Sequence, residues 1–478
     1  MRSTLLVLFL FTLLLNSCKS ENTKGYAIFS GQIVNPTATN IYLKKFGKVV
    51  DSSKVDDFNR FSFKINNPDD GLYEFSYNKE SQLIYIEEND SILLHINTFN
   101  FDESIAFSGE GYKKNNFITS LYLQNELAED FLVRNSALKP HLVSAKIEDQ
   151  LNRNLAQIEK IASQVNLSKD YLKFAKKAAH LQYYDLKERF YFFISKYYPE
   201  KRQLFTKEYF SYREDLEFND EEFQYYYTNI RLLDNYLKNK VFDICIKEHT
   251  EVLDCTKNND FNNIELKANL LDSITDLPVL KDRFYNRFGK QGVLLSNDTI
   301  TSQKTIKLLS NLGYNKDGIQ ELKNLLYLQK LFLPGSNMAS VRIVDVDKNT
   351  STLKEVINKP TILHSWNIDS YLHHSTNHKT IRNLSEKYPE VDFIGITTDY
   401  ANFSEDPTSV NPWIKTIEEY NYNPEKEYHI LTSPVASKLL KNYTNKVIFV
   451  DKQGTIVIGA TLLNDSDFEQ IILEFLNQ

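Results

Sequence analysis

Between residues 25 and 108 apolar and polar positions alternate in short runs, GYAIFSGQIV, NIYLKKF, RFSFKI, GLYEFSY, QLIYIEE and SILLHI, separated by Asn, Pro, Asp and Gly. A period of two puts one side of each run against a core and the other in water, and this spacing predicts a β-sandwich or small barrel. After Gly111 the period changes. No glycine occurs again until Gly289, and stretches such as KIEDQLNRNLAQIEKIASQV and YLKFAKKAAHLQYYDLKERFYFFISKYY carry apolar residues at three- and four-residue intervals, which predicts helices. The aromatic residues of EEFQYYYTNIRLLDNYL are expected to pack a core rather than line a ligand groove, because an aromatic stripe at helical spacing is a buried face. From about residue 335 the two periods interleave. VRIVDV and TILHSW read as strands, STNHKTIRNLSEKY as a helix, VDFIGITT as a strand, NPWIKTIEEY as a helix, YHIL as a strand and VASKLLKNY as a helix. KVIFVDKQGTIVIG reads as a hairpin turning at Gln453-Gly454, and DSDFEQIILEFLN as a closing helix. A βαβ unit followed by an antiparallel ββα unit predicts a mixed sheet with helices on both faces.

The first residues have another character. MRSTLLVLFLFTLLLNSC sets one Arg before an apolar run of about a dozen residues, the size of an export-signal core and too short to span a bilayer comfortably. Its end, Leu15-Asn16-Ser17-Cys18, resembles the lipobox of bacterial lipoproteins. That resemblance implies a signal peptide over 1–17, lipidation of Cys18, and a tether over 18–24 that holds the protein on a membrane without a spanning helix. The alternative is an ordinary secretory signal with an incidental Cys. The balance of 63 acidic against 56 basic residues gives a formal charge of −7 with no segregated basic patch, so nucleic acid is not an expected partner. Cys245 and Cys255 are the remaining cysteines. On one straight helix a spacing of ten separates them by about 15 Å, so they pair only if a turn intervenes, which DCTKNND permits. Their pairing is left open, and no chemistry is assigned to them.

With this signal, the β-rich segment, the helical segment and the C-terminal element order, the chain resembles the TlpA/ResA type of thioredoxin-like envelope lipoproteins. The resemblance implies an α+β multidomain protein: an N-terminal β-sandwich-like domain at 25–110, a central helical region at 111–334 and a C-terminal thioredoxin-like α/β domain at 335–478. In that family the first core strand is followed by Trp and then by Cys-x-x-Cys at a helix start. Counted from Trp366, the two cysteine positions fall at Ser370 and His373. Dithiol exchange needs a thiolate to attack and a second thiol to resolve the mixed disulfide, and no cysteine lies in 335–478, so this domain is expected to be redox-inactive. The family also has a cis-proline before the strand that here reads KVIFVD. Asn445 stands there instead, and without proline a trans peptide is expected.

Other chemistry at this place is weighed residue by residue. Ser370 with His373 suggests a nucleophile and base, but no oxyanion donor or orienting acid accompanies them, and no catalytic role is assigned. His364, His373, His374 and His378, four of the nine histidines, fall within fifteen residues, and His374 with His378 at i,i+4 have metal-ligand spacing. The simpler expectation is solvated polar side chains filling a vacated site, with no metal and no cofactor. The leading expectation is a membrane-anchored envelope protein of a Gram-negative bacterium, periplasm-facing or surface-exposed. Its degenerate thioredoxin-like domain binds a protein or peptide partner through Trp366, Tyr371, His373 and Asn445, with Trp366 either an anchor or core. The alternatives are a thiol-disulfide oxidoreductase of envelope redox homeostasis and a histidine-based metal-binding protein.

Overall fold

A computed structural model describes residues 25–248, 260–368, 370–397, 411–431, 442, 446–465 and 467–477. The chain divides into two compact units, Met1–Tyr236 and Leu237–Gln478. The expected signal and Cys18 lie outside the described residues. Among the described residues, no helix is long and apolar enough to cross a membrane.

The first unit begins with eight strands: β1 (Tyr26–Val34), β2 (Asn40–Lys45), β3 (Lys48–Lys54), β4 (Arg60–Asn66), β5 (Gly71–Tyr77), β6 (Glu80–Ile86), β7 (Ser91–Asn97) and β8 (Ala106–Glu110). They form two four-stranded sheets, β4-β1-β7-β8 and β3-β2-β5-β6. Both contribute to one core, Phe29, Phe63, Ile92 and Leu94 from the first and Leu43, Phe75 and Ile84 from the second. The alternation gave six of these strands. β3 and β8 are the additions, and both are sheet edges. KVVDSSK has no buried position and AFSGE has one, so neither carries a period-two signal. Helices α1 (Tyr112–Glu126), α2 (Ala128–Asn135), α3 (Pro140–Ala162) and α4 (Lys169–Tyr197) follow. The aromatic residues here are core as expected: Phe174 of α4 stacks on Phe223 at 5.1 Å, and Tyr226 is fully buried.

The division between units falls inside α5 (Tyr227–Glu248). The second unit continues with α6 (Phe261–Ile274), α7 (Pro278–Leu294), α8 (Thr299–Asn311) and α9 (Lys316–Gln329). A mixed sheet follows, made of β9 (Arg342–Val344), β10 (Thr350–Thr352), β11 (Thr361–Ser365), β12 (Asp392–Thr397), β13 (Glu427–Ile430), β14 (Lys446–Val450) and β15 (Ile456–Leu462). Its order is β10-β9-β13-β12-β11-β14-β15. β11, β12 and β13 run parallel, and β14 and β15 return antiparallel. Helices α10 (Leu353–Val356), α11 (Tyr371–Lys387), α12 (Pro412–Glu419) and α13 (Phe468–Leu476) complete the described elements. β12-β11-β14-β15, with α11 crossing from β11 to β12, is the thioredoxin arrangement. The helix expected over VASKLLKNY lies outside the described residues, apart from Asn442.

Strand parity sorts this sheet into two cores. Ile362, Phe393, Val447 and Phe449 face Ile381 and Leu384 of α11 and Phe468 and Ile472 of α13. Their neighbours Leu363, Ile394, Ile448 and Val450 form the opposite core with Ile343, Leu353 and Ile456. Each fully buried side chain of this size contributes about 1.5–3 kcal/mol before the entropy of ordering it is subtracted. The expected hairpin turn is present, with Gly454 at φ +80°, a left-handed conformation that suits glycine.

Candidate functional site

β11 is buried at all five positions. Because Ile362 packs under α11, His364 two residues on faces the same helix, and its ring centroid lies 5.5 Å from that of His378. α11 begins after Ser370, which stands at its N-cap in extended conformation. Its buried residues are His374, His378, Ile381 and Leu384, at intervals of four, three and three. The two histidines therefore continue the apolar stripe of the helix and face the sheet. The expectation of solvated histidines is corrected here, since His374, His378 and His364 are all buried. Trp366, just past the end of β11, is also core, at 2% exposure.

A carboxylate ties these groups together. Glu427, the buried first residue of β13, accepts a hydrogen bond from Trp366 Nε1 at 2.7 Å, and its other oxygen lies 3.1 Å from His378 Nε2. Gly395 on β12 is directly opposite Glu427 in the ladder. A Cβ at Gly395 would come within 2.1 Å of the Glu427 carboxylate, so only glycine leaves room for it. The His378 ring stacks on Tyr422 with centroids 3.5 Å apart and planes 3° from parallel. Tyr422 OH is 2.7 Å from His374 Nδ1.

The hydrogen-bond partners dictate where the protons are. His378 Nδ1 lies 2.7 Å from the carbonyl oxygen of His374, which can only accept, so Nδ1 carries a hydrogen. A hydrogen bond between His378 Nε2 and Glu427 then requires one more proton on that pair. Burial, followed by His378 and His373, holds His364 well below the ordinary histidine range. Burial also lowers His374, with His378 and His373 adding to the effect and Glu419 opposing it. Tyr422 is pushed up to about 12, by burial first and then by Tyr420, Glu427 and Tyr371. Tyr422 is thus a donor to His374 Nδ1, and His374 is the Nε2–H tautomer.

This makes the second unit acid-sensitive in a defined window. His364 has a folded pKa below its unfolded value, so below about pH 6.5 the unfolded chain binds a proton that the folded one rejects. Stability falls as pH falls through that range, by up to about 1.4 kcal/mol per pH unit for this one group. Urea unfolding followed by tryptophan fluorescence at pH 7 and pH 5.5 reads this directly, since Trp366 and Trp413 are the only tryptophans and both lie in the second unit. His364→Phe should flatten the dependence, and an unchanged slope would remove His364 as its source.

The other residues singled out in the sequence are placed as follows. Ser370 is exposed, His373 is partly buried with Nε2 3.1 Å from Asn377 Nδ2, and Tyr371 is 57% exposed. Leu372 beside it is 76% exposed. Asn445 and the peptide before it, Asp369 and Cys255 lie outside the described residues, while Cys245 is disulfide-bonded. Among the described residues no group of three His, Cys, Asp or Glu side chains is arranged to hold a metal ion. His374 and His378 do share a helix face, but their ring nitrogens are directed at Tyr422, Glu427 and a carbonyl instead. Sequence reasoning missed Glu427, Tyr422 and Gly395. A Glu opening the strand EYHI, in a sheet whose strands are buried on both sides, is the signal that was present: a charge in such a strand needs partners. Against the network lies a cleft of about 610 Å³, lined by His364, His378, Tyr422 and Glu427 together with residues of α11, of the start of β12 and of the segments 389–391 and 421–426.

No family model matches the chain, and no curated protein matches it. Among solved structures, a thiol:disulfide interchange protein from Bacteroides sp. is 22% identical, over 30% of this chain and 91% of its own, with a TM-score of 0.22. The thioredoxin domain of a thiol-disulfide oxidoreductase from Bacteroides vulgatus is 18% identical, over 30% of this chain and 98% of its own, at 0.23. A thioredoxin-like protein from Bacteroides caccae is 11% identical, over 61% of this chain and 94% of its own, at 0.29. At these scores the thioredoxin-like fold of the C-terminal segment rests on its own strand order, β12-β11-β14-β15 with the α11 crossover.

Proposed function

We propose that the chain is an envelope lipoprotein tethered through Cys18, whose thioredoxin-like segment binds a protein or peptide partner instead of exchanging thiols. The observation that carries this reading is the chemistry at the start of α11. Ser370 and His373 occupy the positions where the resembled family has its cysteines, and 335–478 contains no cysteine. Beside them Tyr371 and Leu372 are exposed, an aromatic and an aliphatic side chain at the edge where thioredoxin folds hold extended segments. The network of Trp366, His378, Glu427 and Tyr422 supports this surface from beneath by fixing α11 on the sheet. Trp366 acts through that support and not by touching the partner. A second reading is favoured by the disulfide at Cys245: an oxidoreductase that works through that cysteine, outside the thioredoxin-like segment.

The tether is tested by Cys18→Ser, which should move the protein from the membrane to the soluble fraction; membrane retention of the variant would argue for another anchor. The surface is tested with a partner recovered on the intact protein, whose affinity is then measured for a variant carrying Tyr371→Ala, His373→Ala and Asn445→Ala. Truncation of hot-spot residues is expected to cost about 1–2 kcal/mol or more. If the variant folds normally and binds as tightly as the parent, the helix start is not the recognition surface.

A further inference from the structure

The cleft against the histidine network has a chemistry of its own, separate from the start of α11. Its lining includes the apolar side chains of Ile381 and Phe393 and the ring of Tyr422. In its wall His364, 2% exposed, has an Nδ1 with no hydrogen-bond partner among the described residues. A buried polar atom without a partner costs free energy that a ligand atom would recover.

The charged residues of the lining are Lys359, Arg382 and Lys426 against Asp392 and Glu427. Glu427 accepts a hydrogen bond from Trp366 Nε1 and lies 3.1 Å from His378 Nε2. Asp392 is 3.0 Å from Lys426 Nζ and 3.5 Å from Lys359 Nζ, so one carboxylate answers two ammonium groups. Exposed Arg382 adds a third cation to the lining, against the two carboxylates. The cleft is therefore locally positive on a chain whose formal charge is −7. A concave site of this volume, combining apolar side chains with convergent polar and charged groups, is of the kind that encloses a small organic molecule.

We propose that this cleft binds a small organic anion, its charged head held by Arg382 and the Lys359–Lys426 pair, its flat apolar body against Tyr422 and Phe393, and a polar atom meeting His364 Nδ1. The site does not depend on the partner-binding reading, because it lies along the middle of α11 and the loops beside it, away from Ser370 to His373.

The test uses the full chain and two fluorescent probes of like shape, anionic 8-anilinonaphthalene-1-sulfonate and neutral N-phenyl-1-naphthylamine. The sulfonate is expected to bind saturably at one site. Arg382→Glu, a change at an exposed position, should weaken it by about tenfold or more while leaving the neutral probe nearly unaffected, since opposed charges at a partly screened site differ by at least that factor. Ser385→Trp, at an exposed position in the lining, should exclude both probes by filling the cleft. Non-saturable sulfonate binding, or saturable binding that neither variant alters, would overturn the proposal. So would an equal loss of both probes with Arg382→Glu, because charge would then play no part in selection.

Discussion

Replacing Glu427 with alanine is expected to destabilise the second unit by about 3–5 kcal/mol, the usual cost of removing one partner from a buried, hydrogen-bonded pair. The change strips Trp366 Nε1 and His378 Nε2 of their shared hydrogen-bond partner at once, and both are enclosed. Glu427→Gln should cost far less, about 1 kcal/mol or below, because the glutamine oxygen can accept from Trp366 while its NH₂ donates to a neutral His378. The contrast between the two variants identifies the hydrogen bonds, rather than the charge, as what Glu427 supplies. Urea titrations read by the two tryptophans measure it. Equal losses for Ala and Gln would mean that the carboxylate charge itself is required.

The second large effect is a gain. Ser370 stands at the N-cap of α11 and His373 one turn along, the first exposed and the second partly buried. An accessible attacking sulfur and a shielded resolving one at a helix N-terminus are what dithiol exchange needs, because the helix end stabilises the thiolate. The double variant Ser370→Cys with His373→Cys is therefore expected to form an internal disulfide and to acquire turnover of a protein disulfide from a background of none. Two thiols that stay unpaired under oxidising conditions would show that this helix start does not have the geometry its strand order suggests.

How far the chain was legible beforehand follows from how its residues are buried. The runs that alternate between core and water, such as RFSFKIN with Phe61 and Phe63 inward, declared themselves, whereas the edge strand KVVDSSK, with no inward side chain, gave no signal. In the C-terminal sheet TILHS and KVIFV are buried throughout, and flanking turns and β-branched residues placed them as strands. The spacing of the histidines to one another is the spacing of metal ligands. Their spacing to Ile381 and Leu384 held the better information, because it put His374 and His378 on the inner stripe of α11. Glu427 and Tyr422 lie about fifty residues from the histidines they meet, and only the pairing of β12 with β13 brings them together. No local pattern encodes that. Gly395 illustrates the same limit: its lack of a side chain is explained only by the carboxylate opposite it.

The central claim is that a thioredoxin-like segment has kept its frame while its site serves binding and not thiol chemistry. The measurement that meets it most directly is turnover of an insulin disulfide by the intact mature protein, with and without prior reduction and thiol alkylation. No turnover above buffer is expected in either case, since Ser370 and His373 stand where the thiols of a thioredoxin frame would be and 335–478 has no cysteine. Turnover that is abolished by alkylating the protein after reduction would contradict the account and assign the activity to Cys245 and Cys255, since the disulfide at Cys245 must be opened before its sulfur can be blocked.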